Sequence, residues 1–404
     1  MLSVKEARTR ILAAITPMPT EQIGLSNGLG RVLAEDIASR RTQPPTAVSA
    51  MDGYAVRAQD VSTVPVTLKI SGHAPAGGSH DDVLGAGEAV RIFTGGPVPD
   101  GADAIVIQEN TDSDGITVTV KESSPAGHYI RPAGLDFRTG EVILRAGDAL
   151  TARNVGMAAA MNTPWLSVHR KPRIAILATG NEIVMPGDPI GPNQIVSSNS
   201  LALAAMIEAS GAEPILLGIA PDESNELSAM AAAAHGADML VTTGGASVGD
   251  HDLIQSVLGD NGLEVDFWKI AMRPGKPLIF GDIKGTPLLG LPGNPVSTLV
   301  CGIIFLIPAL QKMLGQSERE TSLETAILAV DLAQNDQRED YLRARLSYDD
   351  SGTRMATPFS KQDSSMLSRL VQADCLLVRP PNAPAAKTGS AVEILPMPHG
   401  LVRI

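Results

Sequence analysis

Thr243, Gly244, Gly245 and Ser247, followed by Asp250 and Asp252, put hydroxyls, bare backbone and carboxylates into one short stretch. Glycines without a Cβ let backbone N–H groups approach an anion, the threonine and serine add donors, and the start of a following helix adds free N–H groups with partial positive charge. Carboxylates placed directly after such a cradle suit magnesium, which prefers carboxylate and phosphate oxygens. The chemistry supported is binding of a phosphate ester together with that ion. The same residues also make a tight turn with a capped helix, in which Asp250 or Asp252 only accepts a backbone N–H. Both readings stand on the stretch alone.

Other segments carry groups that packing does not call for. Glu182 follows Thr179-Gly180-Asn181, Asp222 follows Ile219-Ala220-Pro221, and Arg273 and Lys276 sit in Arg273-Pro274-Gly275-Lys276-Pro277. Glu182, Asp222, Asp250 and Asp252 suit magnesium, whereas cations stiffened by two prolines suit an oxyanion. Opposed charges fixed in one cleft fit a group transfer between anions. Asn294-Pro295-Val296-Ser297 adds another polar turn. Nearer the N-terminus, Asp52 and Thr94 each stand beside a glycine among small or apolar neighbours, and Arg131 and Asp136 close the same region. A turn acid, a turn hydroxyl and solvated charges are the plain alternatives there.

The elements that must position these residues are legible in outline. Ser3 and Glu6 form a capping box for a helix through Val4, Ala7, Ile11, Ala14 and Ile15, closed by Pro17. Residues 44–136 are rich in Gly, Pro and Ser, with alternating runs Val64 to Ile70 and Ile116, Val118, Val120, the mark of a small β domain. From residue 172 strands and helices alternate, which predicts a doubly wound α/β sheet. Its strands are Arg173 to Leu177, Ile215 to Ile219, Asp238 to Val241, Val265 to Ile270 and Leu288 to Leu291; its helix starts are capped by Asn199 or Ser200, by Asp222 and by Asn294, with Gly315 as a stop. Glu182, Asp222, Gly244, Lys276 and Ser297 then all follow strands, and ligands of open α/β sheets sit outside strand carboxyl ends. One crevice would collect them. The final segment returns to strands, Thr325 to Val330, Tyr341 to Leu346, Cys375 to Val378 and Val392 to Leu395, predicting a compact β domain with Arg343 and Arg345 on one face. Ser364 and Ser365 precede a helix there and cap it by default, with anion binding as the alternative.

Size and charge set limits. A chain of 404 residues and 42.1 kDa exceeds one ordinary core. A net charge of -12 argues against nucleic acid or an anionic membrane as the main partner, so any bound anion must be held by local groups. The two cysteines, Cys301 and Cys375, make neither a disulfide framework nor a zinc site, and the seven histidines show no paired ligand spacing. Lys5, Glu6, Arg8 and Arg10 interrupt the first residues, so no export signal is expected and the expected location is cytoplasmic. Val296 to Leu310 is uncharged but short for a bilayer and contains Pro308, which favours a buried core helix.

Taken together, Met51-Asp52-Gly53-Tyr54-Ala55, Thr94-Gly95 with Pro97-Val98-Pro99, Thr243-Gly244-Gly245 with Ser247-Val248-Gly249, Gly275-Lys276-Pro277 and Gly290-Leu291-Pro292-Gly293-Asn294-Pro295-Val296-Ser297 resemble the molybdopterin molybdenumtransferase (MoeA) family, related to the E domain of gephyrin, along essentially the whole chain. The resemblance implies four parts: a helical and linker region (1–45 and 137–171), an inserted β domain (46–136), a molybdopterin-binding α/β domain (172–317) and a C-terminal β-barrel (318–404). It implies a homodimer whose active sites join the α/β domain of one subunit to the Asp52, Thr94 and Asp136 region of the other. The implied reaction inserts molybdate into adenylylated molybdopterin with magnesium, releasing AMP. Gly244 and Gly245, flanked by Thr243 and Ser247, would hold the pterin phosphate; Asp222, Asp252 and Glu182 would serve magnesium and the adenylate. Arg273, Lys276, Ser297, Arg343 and Ser365, with Pro277 and Asn294 beside them, would hold molybdate. An upstream molybdopterin adenylyltransferase and molybdoenzyme maturation factors are the implied partners. Two departures stand out: Arg273 replaces a lysine common in relatives, and Leu135 stands where an acid often precedes Asp136. A non-catalytic molybdopterin-binding scaffold and a molybdopterin adenylyltransferase are the alternatives, the second disfavoured by the chain's extra domains.

Overall fold

The computed structural model describes residues 1–244, 253–260, 262–317 and 323–398, arranged in two compact units. One consists of Met1–Glu35, Arg145–Val155 and Trp165–Ile404; the other of Asp36–Leu144 and Gly156–Pro164.

The larger unit is built on a six-stranded sheet in the spatial order Glu213–Ala220, Arg173–Thr179, Met239–Thr243, Thr286–Leu291, Ile279–Ile283, Leu263–Trp268. The first four strands are parallel. Ile279–Ile283 runs antiparallel to both its neighbours, Thr286–Leu291 and Leu263–Trp268, and was not expected from the sequence. Ile279–Ile283 and Thr286–Leu291 form a hairpin through Lys284 and Gly285, both at positive φ (53° and 87°), as a two-residue turn that matches strand twist requires. Alternation along the central strand explains the two layers. Ile174 and Ile176 pack with Leu203, Ile207, Val300 and the N-terminal helix residues Val4, Ala7 and Ile11 on one face, while Ala175 and Leu177 meet Leu227, Ala231 and Leu258 on the other. A strand order that reverses beside Arg173–Thr179 places the topological switch point between it and Met239–Thr243, where an open α/β sheet leaves a crevice.

The N-terminal helix, Val4–Ala14, has the expected capping box, with Glu6 N–H donating to Ser3 Oγ and Ser3 N–H to Glu6 Oε2. The long apolar helix Pro295–Met313 is mostly buried inside the protein, so it is a core helix as its composition suggests. Pro308 lacks the N–H that an α-turn needs, and the helix widens into a π-turn over Gly302–Leu306 just before it. Gly315, at φ 69°, lies just past its end.

The C-terminal β domain is a closed barrel. Strands Glu339–Tyr348, Arg354–Pro358, Glu324–Leu328, Ala391–Pro396 and Cys375–Arg379 pair in that order, and the last pairs back onto the first. Closure removes sheet edges, and Ala326, Leu328, Ala344, Ala356, Cys375, Leu377 and Ile394 fill the interior. One more short strand, Met272–Arg273, leaves the α/β domain to pair in parallel with Glu339 and Asp340. The smaller unit holds a curled six-stranded sheet in the order Ala104–Ile107, Gly53–Val56, Glu88–Ile92, Val66–Ala74, Thr117–Val120, Thr111–Ser113, the β domain expected from the alternating runs.

Candidate functional site

A cleft of about 710 Å³ opens at the carboxyl ends of the parallel strands. Thr179, Thr243 and Gly244 line it from the switch point, Lys276 and Pro277 from the proline turn, Asn294 and Ser297 from the start of the long helix, and Ser365 from the barrel. Glu182 is its described acid and Lys276 its cation. Strand pairing explains the convergence at the switch point. Ala178 is in register with Thr243, so the residues after each strand emerge side by side. Gly244 has φ 92°, and a Cβ there would lie 2.3 Å from the Thr179 carbonyl oxygen. Only glycine fits that approach.

Asn199 ties two of these walls together, although the sequence reads it as a helix cap. Its Nδ2 donates to Thr243 Oγ1 (2.9 Å) and to the Gly293 carbonyl (2.7 Å), and the capping position of that helix falls to Ser198, whose side chain makes no cap bond. A similar correction applies to Asp222. The helix Ser224–Ala232 has Glu223 at its cap position with no side-chain bond, while Asp222 Oδ2 accepts the Asn181 N–H and its own N–H donates to Asn181 Oδ1. Asn294 does occupy the cap position of Pro295–Cys301, but its Nδ2 donates to Ser364 Oγ at 2.9 Å, and Val296 N–H donates to the Ser364 carbonyl. Ser364 and Ser365 therefore do not cap the helix Leu367–Val371. Ser365 donates its N–H and Oγ–H to Asp363 Oδ1, bonds that hold the Asp363 carboxyl below the ordinary aspartate range.

Two expected anion ligands stand elsewhere. Arg343 is buried behind the cleft, where Nη2 donates to the Asp363 carbonyl at 3.0 Å and Nε has no partner among the described residues; desolvation pulls its pKa down. Its charge reaches the segment that carries Ser365 without lining the cleft itself. Arg273 points away, onto Asp336, Asn335 and Asp340 at the end of the barrel. The sequence could not reveal this, because those acceptors lie more than sixty residues along the chain.

Asp52 and Thr94, isolated in the sequence, are paired within the smaller unit. Asp52 Oδ1 accepts the Thr94 N–H (2.7 Å) and Oγ1–H (2.8 Å), and these donors hold its carboxyl below the ordinary aspartate range. Gly53 admits no side chain, since a Cβ would lie 2.0 Å from the Val106 carbonyl oxygen. Asp136 is exposed beside exposed Leu135, next to the buried anchor Phe137. Gly245, Ser247, Asp250 and Asp252 lie outside the described residues. Among the described residues no three His, Cys, Asp or Glu side chains gather to hold a metal ion. Among the described residues Glu182 alone offers the cleft a carboxylate, and magnesium is an ion held by one or two carboxylates plus phosphate oxygens and water.

Fold and cleft define a multidomain α/β protein with its cleft at the switch point of an open sheet and Ser365 of the C-terminal β domain on its wall. Family models match in the same order: MoeA N-terminal region (domain I and II) at residues 2–162, probable molybdopterin binding domain at 175–312, and MoeA C-terminal region (domain IV) at 325–397. The molybdopterin molybdenumtransferase of Haemophilus influenzae is 34% identical over 99% of both chains, and that of Bacillus subtilis is 33% identical over 98% of this chain and 94% of its own. A crystal structure of the molybdopterin biosynthesis MoeA protein from Pyrococcus horikosii superposes with a TM-score of 0.83 at 32% identity, covering 98% of this chain and 99% of that one. The chain belongs to the molybdopterin molybdenumtransferase family.

Proposed function

We propose that this chain is a transferase that inserts molybdenum into molybdopterin, taking molybdate and adenylylated molybdopterin and releasing AMP. One observation carries the reading: Gly244, Lys276, Ser297 and Ser365, from four separate segments, meet in one cleft at the switch point. Bare backbone at Gly244 suits the pterin phosphate, and the Lys276 ammonium with the Ser297 and Ser365 hydroxyls suits a tetrahedral dianion. Glu182, with Asp252 from the loop outside the described residues, would hold magnesium, which when bound neutralises phosphate charge. A cleft that takes both anions side by side would meet much of the barrier by proximity.

The reading extends to a homodimer in which Asp52, Thr94 and Asp136 of a second copy complete each site, supported by the Asp52–Thr94 pair, which no packing argument requires. Free, buried Cys301 and Cys375 are compatible with a cytoplasmic setting, to be checked by fractionating cells that express the chain. The central test is purified protein with adenylylated molybdopterin, magnesium and molybdate. Stoichiometric AMP and active molybdenum cofactor are expected, and their absence removes the reading. Mixing Asp52→Ala with Lys276→Gln protein is expected to restore part of the activity each lacks; two inactive variants that stay inactive when mixed would refute the shared site.

A further inference from the structure

The geometry points to Arg273 as a positioning residue that fixes Lys276 in the cleft and does not itself take the oxyanion. The inference rests on the reading of Lys276 as an oxyanion ligand.

Arg273 and Lys276 share one turn but face different partners. Lys276 lines the cleft and Arg273 does not. Arg273 Nη1 donates to Asp336 Oδ2 at 3.1 Å, and Nη2 donates to Asn335 Oδ1 at 3.1 Å and to Asp340 Oδ2. These acceptors are themselves fixed. Asn335 is buried and its amide donates to the Arg338, Arg379 and Pro380 carbonyls, which leaves its oxygen facing the guanidinium. Asp336 also accepts from Arg338, at 2.7 Å from Nη2. Asp340 has only 4% of its side chain exposed, and its second oxygen lacks a hydrogen-bond partner among the described residues. A buried carboxylate stripped of its cation is costly, so turning Arg273 toward an incoming dianion would trade one paired charge for an unpaired one. A guanidinium fork can meet several acceptors at once; a lysine at this position would meet fewer.

Backbone contacts of the same turn help decide where Lys276 goes. Met272 and Arg273 pair with Glu339 and Asp340, which fixes the start of the turn to the barrel. The Lys276 carbonyl accepts the Ile270 N–H at 3.1 Å, which fixes its far side. Between them Gly275, at φ 117°, lies so close to Cys301 that a Cβ would be 2.5 Å from Sγ. Held at both ends and pressed against the core, the turn presents Lys276 to the cleft, and the Arg273 side chain adds its own bonds to the barrel end of that hold.

A double-mutant cycle on the full chain separates the roles, read by calorimetric titration with molybdate and, separately, with molybdopterin. Lys276→Gln is expected to weaken molybdate about tenfold or more, the loss of a charge-assisted bond. Arg273→Gln is expected to weaken molybdate about 3- to 10-fold in the native background and less than about twofold in the Lys276→Gln background, because contacting or coupled residues are non-additive. Molybdopterin affinity should hold in both. Asp340→Asn should reproduce the Arg273→Gln result, and Arg273→Lys serves the same cycle if the glutamine variant does not fold. Additive losses would make Arg273 a ligand in its own right, and unchanged molybdate affinity in Arg273→Gln would make the pair purely structural; either overturns the inference. An unaffected Lys276→Gln single variant would overturn the Lys276 reading itself, and the inference with it.

Discussion

Gly244→Ala loads the switch point of the sheet directly. Its φ of 92° is a region that alanine enters at a cost of about 1–2 kcal/mol. The added Cβ would also stand 2.3 Å from the Thr179 carbonyl oxygen and 3.1 Å from Thr179 Oγ1. Thr179 cannot swing aside freely, because its strand lies between two parallel neighbours. Forcing an atom into such a packed place costs about 1–3 kcal/mol more. The total is about 2–5 kcal/mol from the sum of these two contributions. Gly236→Ala is the control, since Gly236 has φ 84° but nothing within 4 Å of its Cβ position, so only the conformational part applies. Urea denaturation of both variants, followed by native-state hydrogen exchange on Arg173–Thr179 and Met239–Thr243, reads the difference locally in a chain whose several cores need not unfold together. Gly244→Ala should lose about 1–3 kcal/mol more than Gly236→Ala, concentrated at the carboxyl ends of those strands, with the barrel unaffected. Equal losses would refute the close approach of Gly244 to Thr179, and with it the argument that only glycine can shape this edge of the cleft.

Asn199→Ala should cost about 1–2 kcal/mol in urea denaturation, since both amide bonds from its Nδ2 disappear, and an unchanged urea midpoint would count against those bonds. Asp238 gives a pH-dependent case. Burial pushes its pKa up, but the bonds from Arg170 (2.9 and 2.8 Å) and the Arg173 N–H (2.7 Å) outweigh it and hold the carboxyl below the ordinary 3.8. Stability from a depressed carboxyl is present above the unfolded value and lost as pH falls through the folded one. Asp238→Asn should therefore be less stable at neutral pH, by about 1–2 kcal/mol for a half-buried, partly screened pair, with the gap closing as pH drops below 3.8. Urea midpoints taken from pH 7 downward that keep a constant gap would count against it.

Much of the fold is visible in the residues because burial leaves a periodic trace. Ile174 to Leu177 reads as a two-faced buried strand, and Ser3 with Glu6 reads as a capping box; both hold. The hairpin strand Ile279–Ile283 escapes, since Pro277 and Gly281 break the pattern and Lys284-Gly285 is not one of the stronger turn signals. Arg354–Pro358 escapes for a related reason: polar and apolar residues mix in a strand of only five. The cleft is harder to read than the fold, and the reason is chemical. Asn, Asp and Ser at a helix start have two uses, capping the helix or bonding to a distant segment, and the sequence does not distinguish them. Distance from the cleft does. The helix Val4–Ala14 carries a complete capping box, whereas the helices beginning at Asn199, Ser224 and Pro295 have no side-chain cap. At those three starts, Asn199 reaches Thr243, Asp222 reaches Asn181 and Asn294 reaches Ser364. Each side chain that fails to cap its own helix joins two segments near the carboxyl ends of the strands, so a polar residue released from local duty at a strand–helix junction is itself a mark of where the site was assembled.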